Sequence, residues 1–134
     1  MISFYNTLTG RQEEFVPLEP GKVRMYICGP TVYDYAHIGN YRTFIFGDIL
    51  RRHIRQSGYA LTEVMNLTDV DDKTIKNSIA AGLSLGEYTQ RYIDAFLEDC
   101  RTLRMQEPER RVRATDHIPE MAHAIKQLEE KGFT

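Results

Sequence analysis

Tyr26-Ile-Cys-Gly-Pro-Thr-Val-Tyr-Asp-Tyr-Ala-His-Ile-Gly-Asn40 decides how this chain is read. Val23, Met25 and Ile27 mark an apolar strand that runs into the Cys28-Gly29-Pro30 break, and ten residues after Ile27 a His37-Ile38-Gly39-Asn40 turn opens a long amphipathic helix. Strand, glycine-bearing turn and helix start together suit a nucleotide. The amides and dipole at a helix N-terminus favour phosphate, and a residue without Cβ lets a flat base approach the backbone. A cysteine at the strand end is placed to touch a substrate or a metal.

Working outward, Lys22–Cys28 reads as a buried strand, Gly39 to Gly58 as a helix, and Ala60–Leu67 as a second strand. On the helix Ile45, Phe46, Ile49, Leu50 and Ile54 form the expected core stripe, with Arg51, Arg52, Arg55 and Gln56 opposite. A βαβ unit implies parallel, right-handed pairing with ligands at the carboxyl ends of the strands. Cys28-Gly29 and Asn66-Leu67-Thr68 should therefore converge.

On the N-terminal side, Ile2–Leu8 and Glu14–Leu18 are expected to flank a Thr9-Gly10-Arg11-Gln12 turn as a hairpin. On the C-terminal side the pattern predicts helices over Asp71–Ala80 and Ser84–Arg104, a loop over Met105–Arg113, and a last helix capped by Thr115 or Asp116. Ile118, Met121, Ala122, Ile125 and Leu128 align on that helix, and Gly132 is its expected stop. The sheet would then have two strands, with another expected after Phe133.

The chain is 134 residues long, enough for one domain with a core. Its 42% hydrophobic and 27% charged residues describe an ordinary globular protein. With 17 basic against 19 acidic residues the formal charge is −2, so the chain makes no global electrostatic appeal to nucleic acid. Two distant cysteines, Cys28 and Cys100, build no disulfide framework. The N-terminus lacks a secretory pattern and no apolar run reaches bilayer length, so a cytoplasmic, non-membrane protein is expected.

Single residues leave two readings open. Cys28 is either a small strand-end hydrophobe or a metal ligand. Cys100 falls on the core stripe of its helix. His37 alone reads as a cap or surface residue, or as a phosphate contact. Asp69, Asp71 and Asp72 suggest either a magnesium site or carboxylates favouring a helix start. Arg101, Arg104, Arg110, Arg111 and Arg113 form a basic cluster, either a solvated face or an approach to nucleic acid.

The blocks Cys28-Gly29-Pro30-Thr31-Val32-Tyr33-Asp34, His37-Ile38-Gly39-Asn40, Arg42-Thr43-Phe44 and Asn66-Leu67-Thr68-Asp69-Val70-Asp71-Asp72-Lys73 together resemble the N-terminal part of the cysteinyl-tRNA synthetase family. So do the flanking Phe4–Thr9 and Arg113-Ala114-Thr115 with His117-Ile118. The resemblance implies an α/β, Rossmann-like class I synthetase fold of the His-Ile-Gly-His type, with residues 1–134 forming the N-terminal part of its catalytic domain. It implies activation of L-cysteine with ATP and Mg2+ and transfer to tRNA-Cys, by a protein monomeric at full length. His37 and Asn40 would be catalytic and, with Gly39, would bind ATP. Cys28, Gly29 and Thr68 would face cysteine, and Cys28 would be one ligand of a zinc ion that selects the thiolate. Asn40 replaces the family's second histidine; an amide donates but carries no charge. The second signature loop and the remaining zinc ligands are not in this sequence. Two rival expectations are a related cysteine ligase of mycothiol-type biosynthesis and a non-catalytic fragment keeping part of a nucleotide pocket.

Overall fold

The computed structural model describes residues 2–133. The chain opens on a hairpin in which β1 (Ser3–Asn6) pairs antiparallel with β2 (Arg11–Glu14). The second arm lies earlier than the expected Glu14–Leu18. The turn closes sooner because the Asn6 side chain accepts the Leu8 N–H at 3.0 Å and the Asn6 carbonyl accepts the Gly10 N–H at 2.8 Å. Gly10 takes φ +68°, which a side chain would resist, and Arg11 and Gln12 are already ladder residues.

The βαβ unit follows as expected: β3 (Lys22–Ile27), α1 (Ile38–Gln56) and β4 (Ala60–Leu67). The strands run parallel, with Val23 opposite Leu61 and Ile27 opposite Met65. Next come α2 (Asp72–Ala81) and α3 (Leu85–Thr102), each entered through a side-chain cap. Asp71 accepts the Thr74 N–H at 2.8 Å, while Ser84 and Glu87 cap each other reciprocally.

The stretch expected as a loop holds a third strand. β5 (Arg110–Arg113) pairs parallel with β4, placing Val64 opposite Arg110 and Leu67 opposite Arg113, so the sheet order is β3-β4-β5. A single 3-10 turn (Thr115–His117) then leads into α4 (Ile118–Glu130). Neither Thr115 nor Asp116 caps that helix by its side chain; His117 occupies the cap position, with Pro119 in the first turn. Thr115 is instead engaged by Asp69.

Alternation along the sheet separates two faces. Val23, Leu61, Met65 and Leu67 point to the covered side and are buried, while Arg24, Tyr26 and Thr62 lie on the other side and are exposed. The core sits on the covered side. Its larger cluster joins Met65 and Leu67 to Tyr41 and Phe44 of α1 and to Tyr88, Tyr92, Ile93, Phe96 and Cys100 of α3. Full burial of an Ile93 or Phe96 stabilises by roughly 2–3 kcal/mol. A smaller cluster, Ile2, Val23, Ile54 and Leu61, seats the hairpin on the opposite end of the sheet.

Helix α1 is rotated from its expected orientation. Tyr41, Phe44, Gly47, Arg51 and Ile54 are buried, whereas Phe46 and Ile49 are 67% and 58% exposed. Two contacts explain the rotation. A Cβ on Gly47 would lie 2.3 Å from Ile27 Cδ1, so the glycine lets the helix settle closely on β3. Arg51 is drawn inward by two carboxylates, donating to Glu63 at 2.7 Å and to Glu109 at 2.6 Å. Glu109 also accepts from Arg55 and from the Glu63 backbone N–H, both at 2.6 Å, which fastens the chain just before β5 to β4.

No helix among the described residues is long and apolar enough to cross a membrane.

Candidate active site

The loop after β3 and the start of α1 line a cleft of about 390 Å³, bordered by Gly29, Thr31, Asp34, His37 and Asn40; Cys28, Gly39 and Thr68 lie outside its lining. The loop between β3 and α1 is fixed from several sides. Thr68 N–H donates to the Pro30 carbonyl at 3.0 Å and Val32 N–H to the Thr68 carbonyl at 3.1 Å, a parallel bridge that brings Thr31 and Thr68 together. Tyr88 donates to the Tyr33 carbonyl at 2.7 Å, and Lys73 sits 4.6 Å over the Tyr33 ring. Tyr41 hydrogen-bonds Asp99 at 2.6 Å, anchoring the first turn of α1 to α3; burial and then that carboxylate raise the Tyr41 phenol far above its usual range.

His37 is the N-cap of α1. Its Nδ1 accepts the Gly39 N–H at 3.0 Å, and Asn40 Oδ1 accepts the His37 N–H at 3.0 Å. Both residues therefore spend acceptor atoms on the helix and keep donors. With Nδ1 accepting, the proton of the neutral ring resides on Nε2, and both Asn40 Nδ2 protons remain. The helix start differs from a cradle of bare amides: Gly39 N–H goes to His37 Nδ1 and Asn40 N–H to the His37 carbonyl at 2.9 Å. Anion attraction here rests on side-chain donors and the helix dipole. Gly39 has a steric task as well, since a Cβ there would lie 2.7 Å from His37 Cε1.

Cys28 continues the alternation of the open sheet face and is exposed, while Cys100 is buried in the core. The nearest polar contact of Cys28 Sγ is the Gly29 carbonyl at 3.8 Å, which leaves the sulfur free to ligate. Among the described residues no group of three or more His, Cys, Asp or Glu is arranged to hold a metal. Gly29 is sterically required: a Cβ would fall 1.9 Å from the Asn66 carbonyl oxygen. Its N–H already donates to Asn66 Oδ1 at 2.8 Å. Sequence reasoning missed Asn66, although it opens the Asn66-Leu67-Thr68 block.

The acidic block is split. Asp69, only 3% exposed, accepts from the Thr115 N–H at 3.0 Å and the Thr115 hydroxyl at 2.6 Å, tying the ends of β4 and β5 together. Asp71 caps α2 and Asp72 occupies its first turn. This favours the helix-start reading for Asp71 and Asp72 over a shared magnesium site.

Residues 14–134 match the family described as the tRNA synthetases class I (C) catalytic domain. This chain belongs to that family. The class I synthetase chain is 58% identical over 129 residues to the cysteine–tRNA ligase of Koribacter versatilis, covering 96% of this chain and 26% of the relative. It is 54% identical to the cysteine–tRNA ligase of Solibacter usitatus, covering 99% and 28%. It thus spans about a quarter of the length of these relatives. A solved structure of Mycobacterium tuberculosis methionyl-tRNA synthetase in complex with methionyl-adenylate superposes with a TM-score of 0.65 at 20% identity, covering 72% of this chain and 19% of that one. That likeness concerns the fold: the α/β class I arrangement that the resemblance implied.

Proposed function

We propose that this chain is the N-terminal part of the catalytic domain of a cysteine–tRNA ligase and supplies half of its adenylation site. In the first reaction a cysteine carboxylate oxygen attacks the α-phosphorus of ATP, and the bond to pyrophosphate breaks. The cysteinyl group then passes to the terminal ribose of tRNA-Cys. The observation that carries the reading is the capping pair at the start of α1, His37 and Asn40, which leaves their donors free at the mouth of the cleft. The 58% and 54% identical relatives named cysteine–tRNA ligase support the same substrate.

In this reading His37 Nε2 and Asn40 Nδ2 donate to the phosphates, and their contacts tighten as charge builds on the pentavalent α-phosphate. Gly39 leaves bare backbone for the adenine. Mg2+ would accompany ATP. Cys28 Sγ would be one ligand of a zinc ion, which when bound would supply a Lewis acid that prefers the sulfur of cysteine to the hydroxyl of serine. Thr68 and Gly29 complete the cysteine end. The protein acts in the cytoplasm as a monomer.

The test separates cap from catalyst in the full-length protein. His37→Ala loses about 1 kcal/mol of helix capping as well as the phosphate donor. His37→Asp keeps a capping acceptor but has no donor. ATP–pyrophosphate exchange with cysteine should fall by at least about 10²–10³ in both, while thermal stability recovers in His37→Asp. Exchange within about threefold of the parent in both variants would leave His37 a cap alone. Cys28→Ser should lower zinc content and cysteine activation together; unchanged zinc stoichiometry would remove Cys28 from the metal set.

A further inference from the structure

The side chain of Asn66 joins the two strand ends that carry Cys28 and Thr68. Its Oδ1 accepts from the Gly29 N–H at 2.8 Å and from the Tyr26 hydroxyl at 3.0 Å, and its Nδ2 donates to Thr68 Oγ1 at 2.9 Å. The orientation of the amide follows from chemistry. A backbone N–H can only donate, so the atom facing Gly29 must be the oxygen, and the nitrogen must face Thr68. Two accepted bonds saturate Oδ1. Thr68 Oγ1, taken as an acceptor, keeps its own proton, which has no acceptor among the described residues.

We infer that Asn66 is a positioning residue that pins the Cys28-Gly29 corner and sets the polarity of Thr68, so that the Thr68 hydroxyl presents its proton to an acceptor on the bound amino acid. Gly29 N–H is then unavailable to the ligand, and Gly29 serves by having no side chain. The corner offers the ligand an exposed sulfur and one hydroxyl donor. The inference deepens the proposed cysteine site and rests on it for the identity of the ligand. Its hydrogen-bond content does not depend on that identity.

Two substitutions separate the two halves of the device. Asn66→Ala removes both. Asn66→Asp keeps an oxygen facing Gly29 N–H but places a second oxygen against Thr68, whose proton then turns toward the carboxylate and away from the ligand. Amide hydrogen exchange in the full-length protein reads the first half. Gly29 should exchange at least about tenfold faster in Asn66→Ala, in line with loss of one hydrogen bond and the loosening that follows, and should stay protected in Asn66→Asp and Thr68→Val. Exchange kinetics with ATP read the second half. The KM for cysteine should rise about tenfold in Asn66→Ala, Asn66→Asp and Thr68→Val, with the KM for ATP within about twofold of the parent. Asn66→Asp combined with Thr68→Val should be little worse than either alone, because both remove the one Thr68 donor interaction.

Gly29 protection unchanged in Asn66→Ala would overturn the pinning, and additive effects on cysteine KM would overturn the polarity. Normal cysteine KM in Asn66→Asp would do the same. A parent without cysteine-dependent exchange would end the cysteine reading, while the Gly29 arm would still decide whether Asn66 pins the corner.

Discussion

Replacing Gly29 by alanine tests how tightly the candidate site is welded to the sheet. The new Cβ would sit 1.9 Å from the Asn66 carbonyl oxygen, 2.9 Å from Met65 Cγ and 3.1 Å from the Asn66 carbonyl carbon, where ordinary contact begins at 3.4 Å. Met65 can shift its chain end; the Asn66 carbonyl belongs to the central strand and cannot. The corner must therefore lift by about 1.5 Å, the difference between 3.4 and 1.9 Å. Three hydrogen bonds span that gap: Gly29 N–H to Asn66 at 2.8 Å, Thr68 N–H to Pro30 at 3.0 Å and Val32 N–H to Thr68 at 3.1 Å. At about 1 kcal/mol each, with some overpacking added, the cost is about 3–5 kcal/mol. A chain of this size then melts about 10–20 °C lower.

Gly86 is the control. It lies in the first turn of α3 with nothing within 4 Å of its Cβ position, so Gly86→Ala should be neutral or raise stability by about 0.5 kcal/mol. The assay is thermal unfolding of both variants by calorimetry. Gly29→Ala melting within about 3 °C of the parent would show that the corner is loose and that the three bonds carry little.

Three further outcomes are expected. Arg51→Ala strands the Glu63 carboxylate, whose side chain is 5% exposed, and should cost about 3–5 kcal/mol in denaturant unfolding; a second change, Glu63→Gln, should recover part of that loss. Glu109 is pushed up by burial, but the Glu63 N–H, its own N–H, Arg51 and Arg55 outweigh this and hold its carboxyl below the ordinary 4.5. Its stabilising contribution is thus complete above that ordinary value and lost as pH falls through the lower folded value, so Glu109→Gln should flatten the acid side of the stability–pH curve. Burial pushes the Cys100 thiol up to about 11, leaving about one part in a thousand as thiolate at pH 8, so iodoacetamide should label Cys28 alone in a mass-spectrometric time course; equal labelling would contradict the burial of Cys100.

The parts of the fold that were legible are those whose signal is local. The β3-α1-β4 unit is punctuated by Gly29-Pro30, by His37 and by Gly58, and its parallel pairing follows from a crossover of helical length. Convergence of Gly29 with Asn66 and Thr68 followed from topology alone. β5 was not legible because Arg110-Arg-Val-Arg113 carries no apolar alternation; the strand exists through its pairing with β4 and through Glu109, which meets Arg51 across 58 residues. The same pair of carboxylates turned α1 and brought Arg51 inside, against the rule that arginine faces water. The helix start at His37 was legible, but its closure as a reciprocal cap with Asn40 was not, since His and Asn fall outside the usual Ser/Thr with Glu/Gln pairing of a capping box.

That cap has a consequence for the fourth position of the motif. Asn40 Oδ1 must accept from the His37 N–H to complete the cap, and an amide does this while leaving two protons on the other atom. A histidine there accepts through one nitrogen only when neutral; protonated, it would lose the acceptor and so open the helix start. Charge at the fourth position and closure of the cap therefore compete. Asn40 resolves the competition in favour of closure. Asn40→His should then make the exchange rate more sensitive to pH between about 5.5 and 7.5, where an imidazole ordinarily titrates, and should lower thermal stability as the ring gains its proton. The comparison is an exchange-rate and melting profile over that range for Asn40→His beside the parent. Parallel profiles in the two proteins would mean that the cap at His37 is held without the fourth residue, and the structural role assigned to Asn40 would fall.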